Sequence, residues 1–148
     1  MASVSNAVLF SIKKMVLALY FLTLGGLLAE LVLLDHFEGA YQKLPAILMG
    51  VGIVTILLYL FSSAIWAKRI FQVSMVLLVI VGAVGVWMHY NGNAEFELEM
   101  YPKMAGFEHF WESAKGATPM LAPGAITGLG LLGLIYAMFP SKTDSKVE

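Results

Sequence analysis

His36, His89 and Glu30 are the residues whose types and spacing could do chemistry in this chain, with Asp35 and Glu38 beside the first histidine and Glu95 following the second. Imidazole suits most transition metals, and two imidazoles on opposite sides of a haem iron form an axial pair. Carboxylates beside them could complete the coordination or orient the rings. Farther on, Glu108, His109 and Glu112 offer a second set of polar groups. Glu108 and Glu112, one helical turn apart, repel each other unless Lys115 or a cation relieves them. The ordinary alternative for all of these residues is a solvated rim without a shared ligand.

Glu30 is the most informative of them. It precedes Asp35 by five positions, so on a helix it lies about 7 Å below the end of an otherwise apolar run. Ionisable groups at such depth are rare and call for a named partner. His89, the Tyr41 hydroxyl and the backbone around Pro123 are the candidates. Glu30 is then either a proton carrier or acceptor for His36 or His89, or a protonated carboxyl that locks helix register.

The elements that must position these groups are four apolar runs: residues 15–34, 44–66, 70–89 and 121–139. Each approximates the ~20 residues that a helix needs to cross a ~30 Å hydrocarbon core. Hydrophobic residues make up 59% of the chain and charged ones only 13%, which excludes a water-soluble globule. The first run is too long for a signal-peptide core and no A-x-A site follows it, so it is expected to stay as a span. The sequence thus predicts an all-α integral membrane four-helix bundle, one transmembrane domain over residues 1–148. Lys13, Lys14, Lys68, Arg69, Lys142 and Lys146 fall on one side of that arrangement, against Lys43, Lys103 and Lys115 on the other. The bias makes both termini cytoplasmic. Trp66 at the inner end of the second span and Trp87 at the outer end of the third suit the two interfacial belts.

Helix packing is assigned to the Gly124 and Gly128 pair, spaced G-x-x-x-G, with further glycines in every span. Pro45 suits the first turn of the second span. Pro119 and Pro123 predict an irregular start to the fourth, broken or partly re-entrant. The outer segment, residues 90–120, is long enough to form a periplasmic cap with structure of its own. Within it Phe107, Phe110, Trp111 and Ala114 recur at i, i+3, i+4 and i+7, the stripe of an amphipathic helix that Gly116 would cap. That stripe belongs in the outer interface or against the bundle, and His109 then points to the aqueous side. Residues 95–100 fit an edge strand and a helix equally.

Net charge is −1, so nothing points to nucleic acid as a partner. The chain has no cysteine, which excludes disulfides, thiolate metal sites and covalent haem attachment. It carries no nucleophile elbow, phosphate loop, H-E-x-x-H pair or dinucleotide fingerprint, so enzymatic activity is not expected.

Three stretches, Leu34-Asp-His-Phe-Glu-Gly-Ala-Tyr-Gln-Lys-Leu-Pro45, Glu95-Phe-Glu-Leu-Glu-Met-Tyr-Pro102 and Gly116-Ala-Thr-Pro-Met-Leu-Ala-Pro-Gly124, together resemble a group of small bacterial four-helix inner-membrane proteins of uncharacterised activity. The resemblance implies a bacterial inner-membrane setting and carries no catalytic residue. Three functions stay open. The first is a non-catalytic accessory or structural subunit that contacts lipid and other membrane subunits or further copies of itself. The second is a transition-metal or haem protein with its site at the outer rim, built on His36, His89, Glu30 and Asp35. The third is a small transporter or proton-linked carrier, resting on Glu30 and the scattered hydroxyls Thr23, Thr55, Ser62, Ser63, Ser74 and Thr127.

Overall fold

The computed structural model of the chain describes residues 2–62 and 64–140, with side chains from residue 7 onward. Ser63, Lys142 and Lys146, used above, lie outside the described residues. Five helices make up the rest: α1 (Ala2–Leu33), α2 (Ala40–Phe61), α3 (Ile65–Met100), α4 (Gly106–Ala114) and α5 (Gly124–Met138), with no strand among the described residues. Three stretches are long and apolar enough to cross a membrane: Ala7–Leu33, Ala40–Phe61 and Ile65–Met100.

The fourth apolar run is shorter than its sequence suggests. The helix in α5 has 15 residues, about 22 Å, because Pro119 and Pro123 keep the preceding segment in turns. There Ala122 N–H bonds the Pro119 carbonyl, Gly124 the Leu121 carbonyl and Ala125 the Ala122 carbonyl, three i→i−3 bonds in place of helical ones. The other boundaries also move. The second run breaks at Ser62, whose backbone is extended and whose hydroxyl accepts from the Ala64 N–H, so Trp66 sits in the first turn of α3. Helix α2 begins one turn before Pro45, at the Gly39 N-cap, where the Gln42 side chain accepts the Gly39 N–H. Pro45 therefore lies inside the helix.

Residues 95–100 are helical, continuing α3 to 36 residues and about 54 Å. Glu95, Glu97 and Glu99 in its last turns oppose the helix dipole, so that end depends on packing from outside.

Helix α3 is central, packing against α2, α4 and α5, while α1 leans mainly on α5. Tyr20, Tyr59, Phe71 and Tyr136, from α1, α2, α3 and α5, form one ring cluster with centroids 5.8–5.9 Å apart. Above it Met49, Ile56, Met75, Leu78 and Leu129 are fully buried. Within this core Thr55 and Ser74 share a 2.8 Å hydrogen bond between α2 and α3: one hydroxyl donates to the other, which donates in turn to a carbonyl of its own helix. Lys13 donates to the Pro140 carbonyl and lies 5.3 Å from the Tyr136 ring centre. That contact and the ring cluster bring Lys13, Lys14, Lys68 and Arg69 to one end of the molecule.

The tightest contact joins α3 to α5, and its glycines differ from the pair read in the sequence. A Cβ on Gly130 would stand 2.7 Å from the Met75 carbonyl oxygen, and one on Gly82 would stand 2.9 Å from the Pro123 carbonyl oxygen. A Cβ on Gly133 would overlap the Met75 sulfur, whereas one on Gly128 would meet nothing within 4 Å and one on Gly124 only a distant Val86 methyl. Close approach therefore runs through Gly82, Gly130 and Gly133. The G-x-x-x-G spacing is present, but the helix rotates Gly128 away from α3.

Candidate functional site

At the end opposite Lys13, the groups singled out above are held by different elements. Asp35 has φ 49°, His36 N–H bonds the Leu31 carbonyl at 3.0 Å, and Asp35 N–H bonds the Val32 carbonyl at 3.2 Å. This is the Schellman closure of α1, with aspartate in the left-handed position that glycine usually fills. Asp35 thus has a structural task. Asp35→Gly should leave stability unchanged or raise it by about 0.5–1 kcal/mol, and Asp35→Val should lower it by about 1–2 kcal/mol, in thermal unfolding in detergent. A loss of bound metal on Asp35→Gly would instead restore its reading as a ligand.

His89 lies on α3 and hydrogen-bonds through Nδ1 to the Pro119 carbonyl at 2.9 Å. A carbonyl only accepts, so Nδ1 carries the proton and the lone pair of the neutral ring sits on Nε2. Its partner is the turn before α5, a structural role. Among the described residues, no three His, Asp or Glu side chains gather in a way that would hold a metal ion. His36, His89, Glu30 and Asp35 thus do not form one site in the isolated chain.

Glu30 is exposed on α1 and its carboxylate meets no hydrogen-bond or ion-pair partner among the described residues, neither His89, Tyr41 nor the Pro123 backbone. Gly25 and Gly26, one turn earlier, are also exposed, with open space where their Cβ atoms would be. The opposite face, with Leu24, Leu27, Leu28 and Leu31, packs on the core. A carboxylate and two glycines therefore share the outward side of an apolar helix.

The second polar group is arranged around Asn93, which the sequence reading did not single out. Asn93 is 4% exposed and bonds both the last turn of α4 and the segment that follows it. Its Nδ2 donates to the Ser113 carbonyl at 3.0 Å and the Thr118 carbonyl at 2.8 Å, and its Oδ1 accepts the Thr118 N–H at 3.1 Å. One side-chain amide thereby satisfies both backbone groups of Thr118. Gly116 lies flat against it, since a Cβ there would stand 2.5 Å from Asn93 Cγ. Gly116 is small for that contact and not, as its position after the helix suggested, for a left-handed cap; the cap residue is Lys115. The available signal was an amide inside a helix within one turn of His89, facing a Gly-Ala-Thr-Pro stretch whose backbone lacks helical partners.

Helix α4 meets α3 through its polar side. His109 Nε2 donates to the Ala94 carbonyl at 3.1 Å, and Ser113 is fully buried with its hydroxyl on the His109 carbonyl. His109 accordingly turns toward α3 and not toward water. Glu112 pairs with Lys115 at 2.7 Å, so the expected relief of the Glu108 and Glu112 repulsion comes from that lysine. Phe107, Phe110 and Trp111 are 76%, 48% and 50% exposed, which removes the reading that their stripe packs on the bundle. No protein-family model matches the chain, and neither curated proteins nor solved structures yield a similar one.

Proposed function

We propose that this chain is a multi-pass membrane protein that serves as a non-catalytic structural subunit, docking its α1 face on a helix of a larger membrane assembly. In this reading α1, α2, α3 and α5 form a four-helix bundle in a bacterial inner membrane. The Lys13, Lys14, Lys68 and Arg69 end, with both termini, faces the cytoplasm, and α4 caps the periplasmic side. The observation that carries it is Glu30, exposed without a partner beside Gly25 and Gly26. Small residues let a second backbone approach closely, and a carboxylate in hydrocarbon is stabilised by a donor from the neighbouring helix. The partner is accordingly a transmembrane helix that presents a hydroxyl, amide or cationic side chain at that depth.

The apolar filling of the interior by Met49, Ile56, Phe71, Met75, Leu78 and Leu129 supports this reading over a carrier, which needs a polar path. Purification from native membranes in mild detergent tests it. Wild-type protein should travel with a larger complex. Glu30→Leu should weaken that association by about tenfold, the effect of ~1.4 kcal/mol, while the isolated variant keeps its helix content and melting temperature. A monodisperse, partner-free wild-type protein, or an association indifferent to Glu30→Leu, would overturn the proposal.

A further inference from the structure

Helix α4 is built inside out for a helix packed on a protein. At ~100° per residue its surface divides into three faces roughly 120° apart. His109 and Ser113 face α3; Phe107, Trp111 and Ala114 form the apolar face, with Phe110 at its edge touching Tyr90; Glu108 and Glu112 form the third. A cap surrounded by water would turn its aromatic face inward. Here Phe107 and Trp111 stack on each other, with Phe110 6.1 Å from Phe107, and all three remain exposed.

The height of this helix says what covers it. A hydrocarbon core of ~30 Å counted along α3 from Arg69 ends near Tyr90. The residues of α3 that hold α4 are Tyr90, Asn93 and Ala94, from that boundary to about 6 Å beyond it, the headgroup zone. Trp87, one turn below Tyr90 and on the same side of α3, is also exposed, so the aromatic face continues the apolar surface of the span. Charge also bears on the partner. Glu108 is acidic, and Lys115 is already paired with Glu112, so apolar burial and not attraction to anionic lipid must hold the helix down.

We infer that α4 lies in the bilayer interface, with Phe107, Phe110 and Trp111 inserted at the boundary between headgroups and acyl chains and Glu108 and Glu112 turned to water. Asn93 and His109 fasten it sideways to α3, so the cap is held at once by the protein and by a neutral lipid surface. This inference rests on the chain spanning the membrane, but not on the subunit role proposed above.

The test uses the full chain with Trp66 and Trp87 replaced by phenylalanine, leaving Trp111 as the sole tryptophan, in dilute phosphatidylcholine vesicles carrying spin-labelled lipids. Trp111 emission should be blue-shifted and quenched about twofold more by a label near the headgroup than by one near the chain terminus, without change on adding salt. Phe107→Glu with Phe110→Glu should cut that quenching by about half or more. Trp111 emission typical of water and quenched by iodide would overturn the inference. So would blue-shifted emission that no lipid label quenches and that reddens on dilution in lipid, the mark of a second copy covering the stripe. A companion chain with Trp87 as the sole tryptophan separates the two premises. Quenching of Trp87 without quenching of Trp111 removes only the α4 proposal, and quenching of neither removes the membrane reading with it.

Discussion

Gly130→Ala should destabilise the protein by about 2–3 kcal/mol in detergent unfolding, while Gly128→Ala, two residues away, should be neutral or slightly stabilising. The two positions share a residue type and a helix and differ only in what stands opposite. At Gly130 the new methyl meets the Met75 carbonyl oxygen at 2.7 Å and the Val79 N at 3.0 Å, both backbone atoms of α3. Backbone cannot rotate aside, so the helices must separate and the packing along their whole contact loosens. Gly133→Ala should fall between the two, because its principal obstacle is the Met75 thioether, which can swing away. The order Gly130, Gly133, Gly128 is the result to look for. Equal effects at Gly128 and Gly130 would mean that α5 is rotated about its axis relative to the arrangement described.

Asn93→Ala should release the segment between α4 and α5 without unfolding the spans. The substitution removes two bonds from Nδ2 and one to Oδ1, leaving the Thr118 carbonyl and N–H without their partner and the Ser113 carbonyl with only the 3.3 Å bond from the Gly116 N–H. Water can reach the exposed Thr118 backbone but not the buried Ser113, so the net loss is about 2–3 kcal/mol. Amide exchange at Thr118 should accelerate by about thirtyfold to a hundred-and-fiftyfold, with α2 and the core of α3 unchanged. Asn93→Asp adds a sign to the test. Its carboxylate keeps the Thr118 N–H but confronts two carbonyls with no proton to donate, so the folded state favours the protonated form and raises its pKa. The penalty is present at neutral pH and relieved as pH falls through that raised value. Exchange at Thr118 that ignores both substitutions would show that α4 and α5 are held by other contacts.

These two sites also mark what was legible beforehand. Three of the long apolar runs read directly, because hydrocarbon demands about twenty consecutive apolar residues. The aromatic stripe of α4 read directly as well, since helical period brings i, i+3 and i+4 onto one side. The side on which α4 would pack did not. Amphipathic spacing says which residues share a face and not which face meets the protein, and here the choice fell to Ser113, small enough to be buried, and to His109, with a carbonyl to bond.

Composition and periodicity determined that the chain is helical, apolar and organised around long spans, because those properties follow from local backbone geometry and transfer between solvents. Tertiary structure alone decided the rest. It brought Asn93 to Thr118 across 25 residues of sequence, turned Gly130 but not Gly128 toward Met75, and left Glu30 facing outward. Each depends on the rotation of one helix against another. A change of one residue in helical phase turns a side chain by ~100°, with no signature in the local sequence.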